Sequence, residues 1–118
     1  MKRVIIESPF AGNSRWRIIA FFQRLGNRQY ARAAVLDSLM RGESPIASHL
    51  LYTQPGILRD EIPRERQQGI GAGLAWRIVA EATVVYADRG ISKGMTFGIE
   101  AAKASGIPVE HRTLKRKK

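Results

Sequence analysis

TVVYADRGISKGMTFGIEAAKASGIPV, residues 83–109, carries a strand, a turn, a helix and the approach to a second strand. The opening TVVY is a short run of β-branched and aromatic residues, the pattern of a buried strand. Gly90 marks a turn, and Ser92 is placed to cap a helix that runs from Gly94 to about Ser105. Gly106 is the expected stop of that helix. Residues 107–112 (IPVEHR) read as a last strand at a sheet edge, because Pro108 cannot donate to a central ladder. The free N–H groups and dipole of a helix start favour anions, and Lys93 adds charge there. Neither GxxxxGK[ST] nor GxGxxG spacing is present, so a plain turn and cap explains the stretch as well as a phosphate cradle does.

Working outward, the same alternation repeats. Residues 3–7 (RVIIE) are a buried first strand, followed by the loop SPFAGN. Residues 14–26 (SRWRIIAFFQRLG) read as a short basic amphipathic helix or an ordered loop. That segment either packs on its own domain, lies over a ligand as a lid, or meets another subunit. Asn27 is placed to cap a helix reaching about Met40, with Gly42 just beyond it. Residues 44–48 form a second strand, and residues 49–63 a long connection of the functional or mobile kind. Pro63 suits the first turn of a helix continuing to about residue 82, weakened by Gly69, Gly71 and Gly73. The order β-α-β-α-β-α-β predicts an α/β fold: a Rossmann-like, open, doubly wound parallel sheet of about four strands. Right-handed crossovers give the order 2-1-3-4 with helices on both faces. Ligands of such sheets bind beyond the carboxyl ends of the strands.

A chain of 118 residues is one domain, assigned here to residues 1–113 with a basic tail at 114–118. Cysteine is absent and histidine occurs twice, which excludes disulfide frameworks and leaves no convincing metal cluster. No metal and no cofactor are expected. No apolar run approaches the ~20 residues of a membrane span, and Glu7 and Pro9 come too early for a signal peptide. The expectation is a cytoplasmic protein of a bacterial cell, encoded by the bacterium or by a phage, with no membrane partner. The net charge of +10 favours anionic partners, either nucleic acid or a phosphorylated small molecule.

Three edges supply candidate site residues. After the first strand come Ser8 and Phe10, with Glu7 at the strand end. A carboxylate there costs free energy unless partnered, so Glu7 is either a perturbed site group or the partner of an arginine. After the second strand come His49, Tyr52 and Gln54, whose ring and amide chemistry suits stacking on a base and reading its edge. After the third come Asp88, Ser92, Lys93, Gly94 and Met95. Asp60 and Arg66, in RDEIPRER, either pair at a helix start or point into the cleft toward hydroxyls or phosphate.

ESPFAG (residues 7–12) resembles the opening "-SPY-G" loop of nucleoside 2-deoxyribosyltransferase-like proteins. ASHLLYTQPGILRDEIPRERQQGI (47–70) resembles their strand, histidine and "LDD…PEER…GI" signature. GISKGMTFGIEAAKASGIPVE (90–110) resembles "S-GM--EI--A---G-PV". The resemblance spans residue 2 to about 112, with 11–26 a less typical insertion. It implies a nucleoside- or nucleotide-binding domain, usually a homo-oligomer with shared sites. Active members break an N-glycosidic bond, using a helix glutamate as nucleophile against an oxocarbenium-like transition state, with an aspartate to position it. That glutamate falls on Gly98, which has no side chain. Glu100 stands about 200° around the helix and faces elsewhere.

The expectation is therefore a domain that holds a nucleotide-type ligand without cutting it, for instance a phage protein that sequesters a nucleotide immune signal. The alternative is an N-glycosidase or deoxyribosyltransferase using Glu7 or Asp60 as a substitute carboxylate. A second alternative is a basic nucleic-acid-binding protein.

Overall fold

The structure is a computed structural model and describes residues 1–12 and 14–114. Its elements are β1 (Lys2–Glu7), α1 (Arg17–Met40), β2 (Glu43–Ile46), α2 (Ser48–Tyr52), α3 (Pro63–Arg77), β3 (Ala82–Tyr86), α4 (Lys93–Ala104) and β4 (Val109–Arg112). The strands form a four-stranded parallel sheet in the order β2-β1-β3-β4, as the alternation predicts. β4 is an edge strand, and Pro108 precedes it.

Strand alternation sorts the side chains between two faces. Val4, Ile6, Ala82, Val84 and Tyr86 pack with Ala34 and Tyr30 of α1. On the opposite face Val85 packs with Met95 and Ile99 of α4. Leu114 closes on the α1 side; the basic residues 115–118 lie outside the described residues.

Four boundaries differ from the sequence expectation. α1 is one 24-residue helix running through Asn27, with no break at residues 26–27. Asn27 is buried inside it instead of capping it. Its amide nitrogen donates to the Phe10 carbonyl at 3.2 Å and its oxygen accepts from Arg89 Nε at 2.9 Å. Tertiary partners thus take the polar atoms that a cap would use. β2 starts and ends earlier than expected, and Ser48 opens a one-turn helix inside the connection. α3 stops at Arg77 because Val79 and Ala80 bond in a tighter turn and Glu81 N–H already bonds the Arg3 carbonyl. α4 begins at Lys93, with Ser92 Oγ accepting from Met95 N–H at 3.3 Å. Gly42 and Gly106 end α1 and α4 with φ of 82° and 71°, a region that costs other residues strain.

A polar network spans the α1 side. Arg112 grips Glu43 with two bonds of 2.7 and 2.6 Å, and Ser38 Oγ donates to Glu43 at 2.8 Å. Arg112 also donates to the Tyr86 hydroxyl, which donates to Asp37 at 2.7 Å. This grip holds the Glu43 carboxyl down at about 2. No helix of the described residues is long and apolar enough to cross a membrane.

Candidate functional site

A cavity of about 950 Å³ opens at the carboxyl ends of β1 and β2 and the start of α4. That volume is in the range of small-molecule sites. The loop after β1 brings Ser8 and Phe10 to it, and α2 brings His49 and Tyr52. The connection and first turns of α3 bring Asp60 and Arg66, and the α4 start brings Ser92, Lys93, Gly94 and Met95. Phe10 and His49 stack at 5.4 Å with 19° between ring planes. Desolvation at the cavity wall draws the His49 pKa below its ordinary value, opposed by Asp60 and aided by Arg66 and Arg77, which favours the neutral ring. The Tyr52 hydroxyl accepts from Trp76 Nε1 at 2.9 Å. Asp60 and Arg66 stand 4.0 Å apart, half open to solvent, a pair loose enough for either to meet a ligand.

Gln54 and Asp88 do not line this cavity. The Gln54 amide donates to the Leu50 carbonyl at 2.7 Å, which ties it to α2. Asp88 accepts from the Tyr30 hydroxyl at 2.6 Å and from Leu114 N–H at 2.8 Å. It fastens α1 and the chain end to β3.

Glu7 lies in the cavity wall with 4% of its surface exposed. Arg77 of α3 donates to its carboxylate at 3.3 Å and to the Gly98 carbonyl at 3.0 Å. Arg77 Nε has no partner among the described residues. Burial pushes the Glu7 carboxyl up to about 7, outweighing the opposite pull of Arg77. A Cβ at residue 98 would stand 2.5 Å from the Glu7 carboxyl carbon and clash with both oxygens. The carboxylate therefore occupies the room left by the missing side chain of Gly98. One carboxylate sits at this wall after all, delivered by the strand and not by the helix.

Arg77 was not among the sequence candidates. It lies 70 positions from Glu7, and no local pattern links them. Gly73 also lines the cavity, where a Cβ would meet Ser48 Oγ at 2.8 Å. Gly73 is thus the point where α3 closes on α2, while a Cβ at Gly69 would meet only Leu58 at 3.4 Å and one at Gly71 would meet nothing within 4 Å.

A family model matches residues 2–112. The chain belongs to DUF7768, a family described as a domain of unknown function. Among solved structures, the chain is similar to a 2-deoxyribosyltransferase from Bacillus psychrosaccharolyticus, described as a biocatalyst for the synthesis of nucleosides. The TM-score is 0.62 at 15% identity, over 98% of this chain and 75% of that one. At this identity the likeness establishes the Rossmann-like deoxyribosyltransferase fold alone. A search of curated proteins gives no match.

Proposed function

We propose that this domain binds a nucleoside- or nucleotide-type ligand in the cavity and holds it without cutting it. The reading rests on what the cavity wall offers. The Phe10–His49 stack presents an aromatic surface for a base. Asp60 and Arg66 offer a carboxylate and a guanidinium for sugar hydroxyls or phosphate, and Lys93 stands at the start of α4. The observation that carries non-catalysis is the state of Glu7. It lines the cavity but is nearly enclosed and bonded to Arg77, so little of its carboxylate is open to a ligand. A holder of this kind, basic overall, suits sequestration of a nucleotide signal, and a phage protein blunting host defence is one such setting. Calorimetry of the full chain against nucleosides, 5′-mononucleotides and cyclic or ADP-ribose-type nucleotides tests it. Saturable heat with at least one class is expected. No binding to any of them at micromolar concentration would sink the reading.

One observation favours a second reading, cleavage of an N-glycosidic bond. The carboxylate fills the space next to Gly98 on the cavity wall, and its raised pKa leaves it part-protonated at neutral pH. Such a group can give a proton to a departing base or attack an anomeric carbon. Chromatography of nucleosides and nucleotides incubated with the protein separates the readings. Release of free base that disappears in Glu7→Gln would favour the enzyme. A nucleic-acid role would instead show as affinity falling steeply with salt.

A further inference from the structure

The sheet carries two Glu–Arg pairs that are similarly enclosed and differently built. The Glu43 and Arg112 side chains are 12% and 6% exposed, and those of Glu7 and Arg77 are 5% and 11% exposed. Arg112 meets Glu43 through two bonds of 2.7 and 2.6 Å, and Ser38 adds a third. The remaining Arg112 contacts go to Tyr86 and Glu110. That pair is closed, and it lies outside the cavity. Glu7 and Arg77 both line the cavity, and they share one contact of 3.3 Å between one oxygen and one nitrogen. A second Arg77 bond goes to the Gly98 carbonyl. Arg77 Nε is buried and has no acceptor among the described residues. Buried donors without acceptors are costly and few in native proteins. The cavity wall thus holds a guanidinium with donors to spare.

The other charged groups of the wall have their own settings. Asp60 pairs with Arg66 and Glu65 with Arg59, each pair partly open to solvent. His49 of α2 is drawn toward its neutral form, and Lys93 stands at the start of α4. β3 places apolar Val85 beside Glu7. Among the described residues, Arg77 is the one side chain in polar contact with the Glu7 carboxylate. Two states follow from this arrangement. An ionised Glu7 cancels the Arg77 charge and repels a second anion at the same wall. A protonated Glu7 keeps its room beside Gly98 as a neutral group and releases the guanidinium charge to the cavity. With Glu7 pushed up to about 7 by burial, the change between these states falls at neutral pH.

We infer that Arg77 is an anion-recognising residue of the cavity and Glu7 its exchangeable counter-charge: an anionic group of the ligand binds Arg77 while Glu7 takes up a proton from solvent. No covalent bond of the ligand changes. The proton passes from buffer to a Glu7 oxygen, and the Arg77–Glu7 ion contact gives way to Arg77–anion contact. Guanidinium suits phosphate oxygens because its N–H groups diverge in a fixed fork. The inference rests on the nucleotide-type reading of the cavity and narrows it. A phosphate-bearing ligand gains from the released guanidinium, and an uncharged nucleoside does not. The sign with pH follows. Bound anion favours the protonated carboxyl, so binding is tightest below pH 7 and weakens as pH rises through 7.

The test titrates the full chain with sulfate, which keeps both its charges between pH 6 and 8, at constant ionic strength. The amide resonances of Ser8 and Gly98 and the Arg77 Nε–H resonance report the binding, with one shared Kd. Sulfate should bind about tenfold more weakly at pH 8 than at pH 6. In Glu7→Gln, whose side chain is neutral at every pH, the two values should agree within about twofold. Glu7→Gln/Arg77→Met, which leaves no carboxylate stranded, should lose the saturable shifts while its circular dichroism is unchanged. Shifts that do not saturate in the unsubstituted chain overturn the proposal, as does an Arg77 Nε–H that stays still while the amides move. An equal pH dependence in Glu7→Gln also overturns it and assigns the titration to His49. Sulfate behaving as expected while every nucleotide fails in calorimetry supports the anion site and removes the nucleotide reading, so the two can fail separately.

Discussion

Placing a methyl group at residue 98 tests the fit between Gly98 and Glu7. In an ordinary exposed helix interior Gly→Ala is stabilising by about 1 kcal/mol, because alanine loses less backbone freedom. Gly98 is buried in α4, and its new Cβ would lie 2.5 Å from the Glu7 carboxyl carbon. The carboxylate would have to leave that position and with it the 3.3 Å contact to Arg77. Both partners are close to fully buried, and breaking a buried pair typically costs about 3–5 kcal/mol. The expected net effect of Gly98→Ala is thus a loss of about 2–4 kcal/mol. In a Glu7→Ala background the obstruction is gone, and the same substitution should stabilise by about 1 kcal/mol. Urea denaturation at pH 7, followed by the fluorescence of Trp16 and Trp76, measures all four corners of the cycle. If Gly98→Ala shifts stability equally in the two backgrounds, within about 0.5 kcal/mol, the two residues are not coupled and the reasoning fails.

Further outcomes concern acid and scaffold. Glu7 titrates at about 7 in the fold against about 4.5 when free, so its contribution is complete below pH 4.5 and is lost as pH rises through 7. That is a loss of roughly 3 kcal/mol, seen as a falling urea midpoint from pH 5 to 8 that Glu7→Gln should flatten. Glu43, held at about 2, works in the opposite sense: its contribution is present above pH 4.5 and is lost as pH falls toward 2. Glu43→Gln should lower stability by about 3 kcal/mol at pH 7 and remove part of the acid sensitivity, read by denaturation between pH 2 and 5. Tyr30→Phe removes the hydroxyl that donates to Asp88, so stability should drop by about 1–3 kcal/mol while calorimetric nucleotide affinity stays unchanged. Arg66→Ala should weaken binding of whichever nucleotide class is found by about tenfold in calorimetry, with unchanged melting.

What the sequence determined by itself is the architecture and one negative. The runs at β1 and β3, the capped helix after Ser92 and the stop glycines at 42 and 106 are local signals, each set by a few neighbouring residues. Their order is sufficient to imply a parallel sheet in the order 2-1-3-4, because crossover handedness leaves few alternatives. The absence of a carboxylate on residue 98 is likewise plain in the letters. The strand carboxylate of Glu7 was visible as an oddity, but its placement was not. Whether Glu7 pairs with an arginine, and with which one, depends on α3 packing over the same sheet face as α4, a contact between residues 70 positions apart. The roles of Asn27 and Asp88 were also tertiary decisions. The chemistry that makes Asn27 a good cap makes it an equally good buried bridge between the Phe10 carbonyl and Arg89. Asp88 sits at the right sheet edge, yet Tyr30 and the Leu114 backbone draw it to the α1 side. Local spacing selects elements, whereas the partner of a buried polar group is chosen by whichever distant donor the packed layers bring within reach.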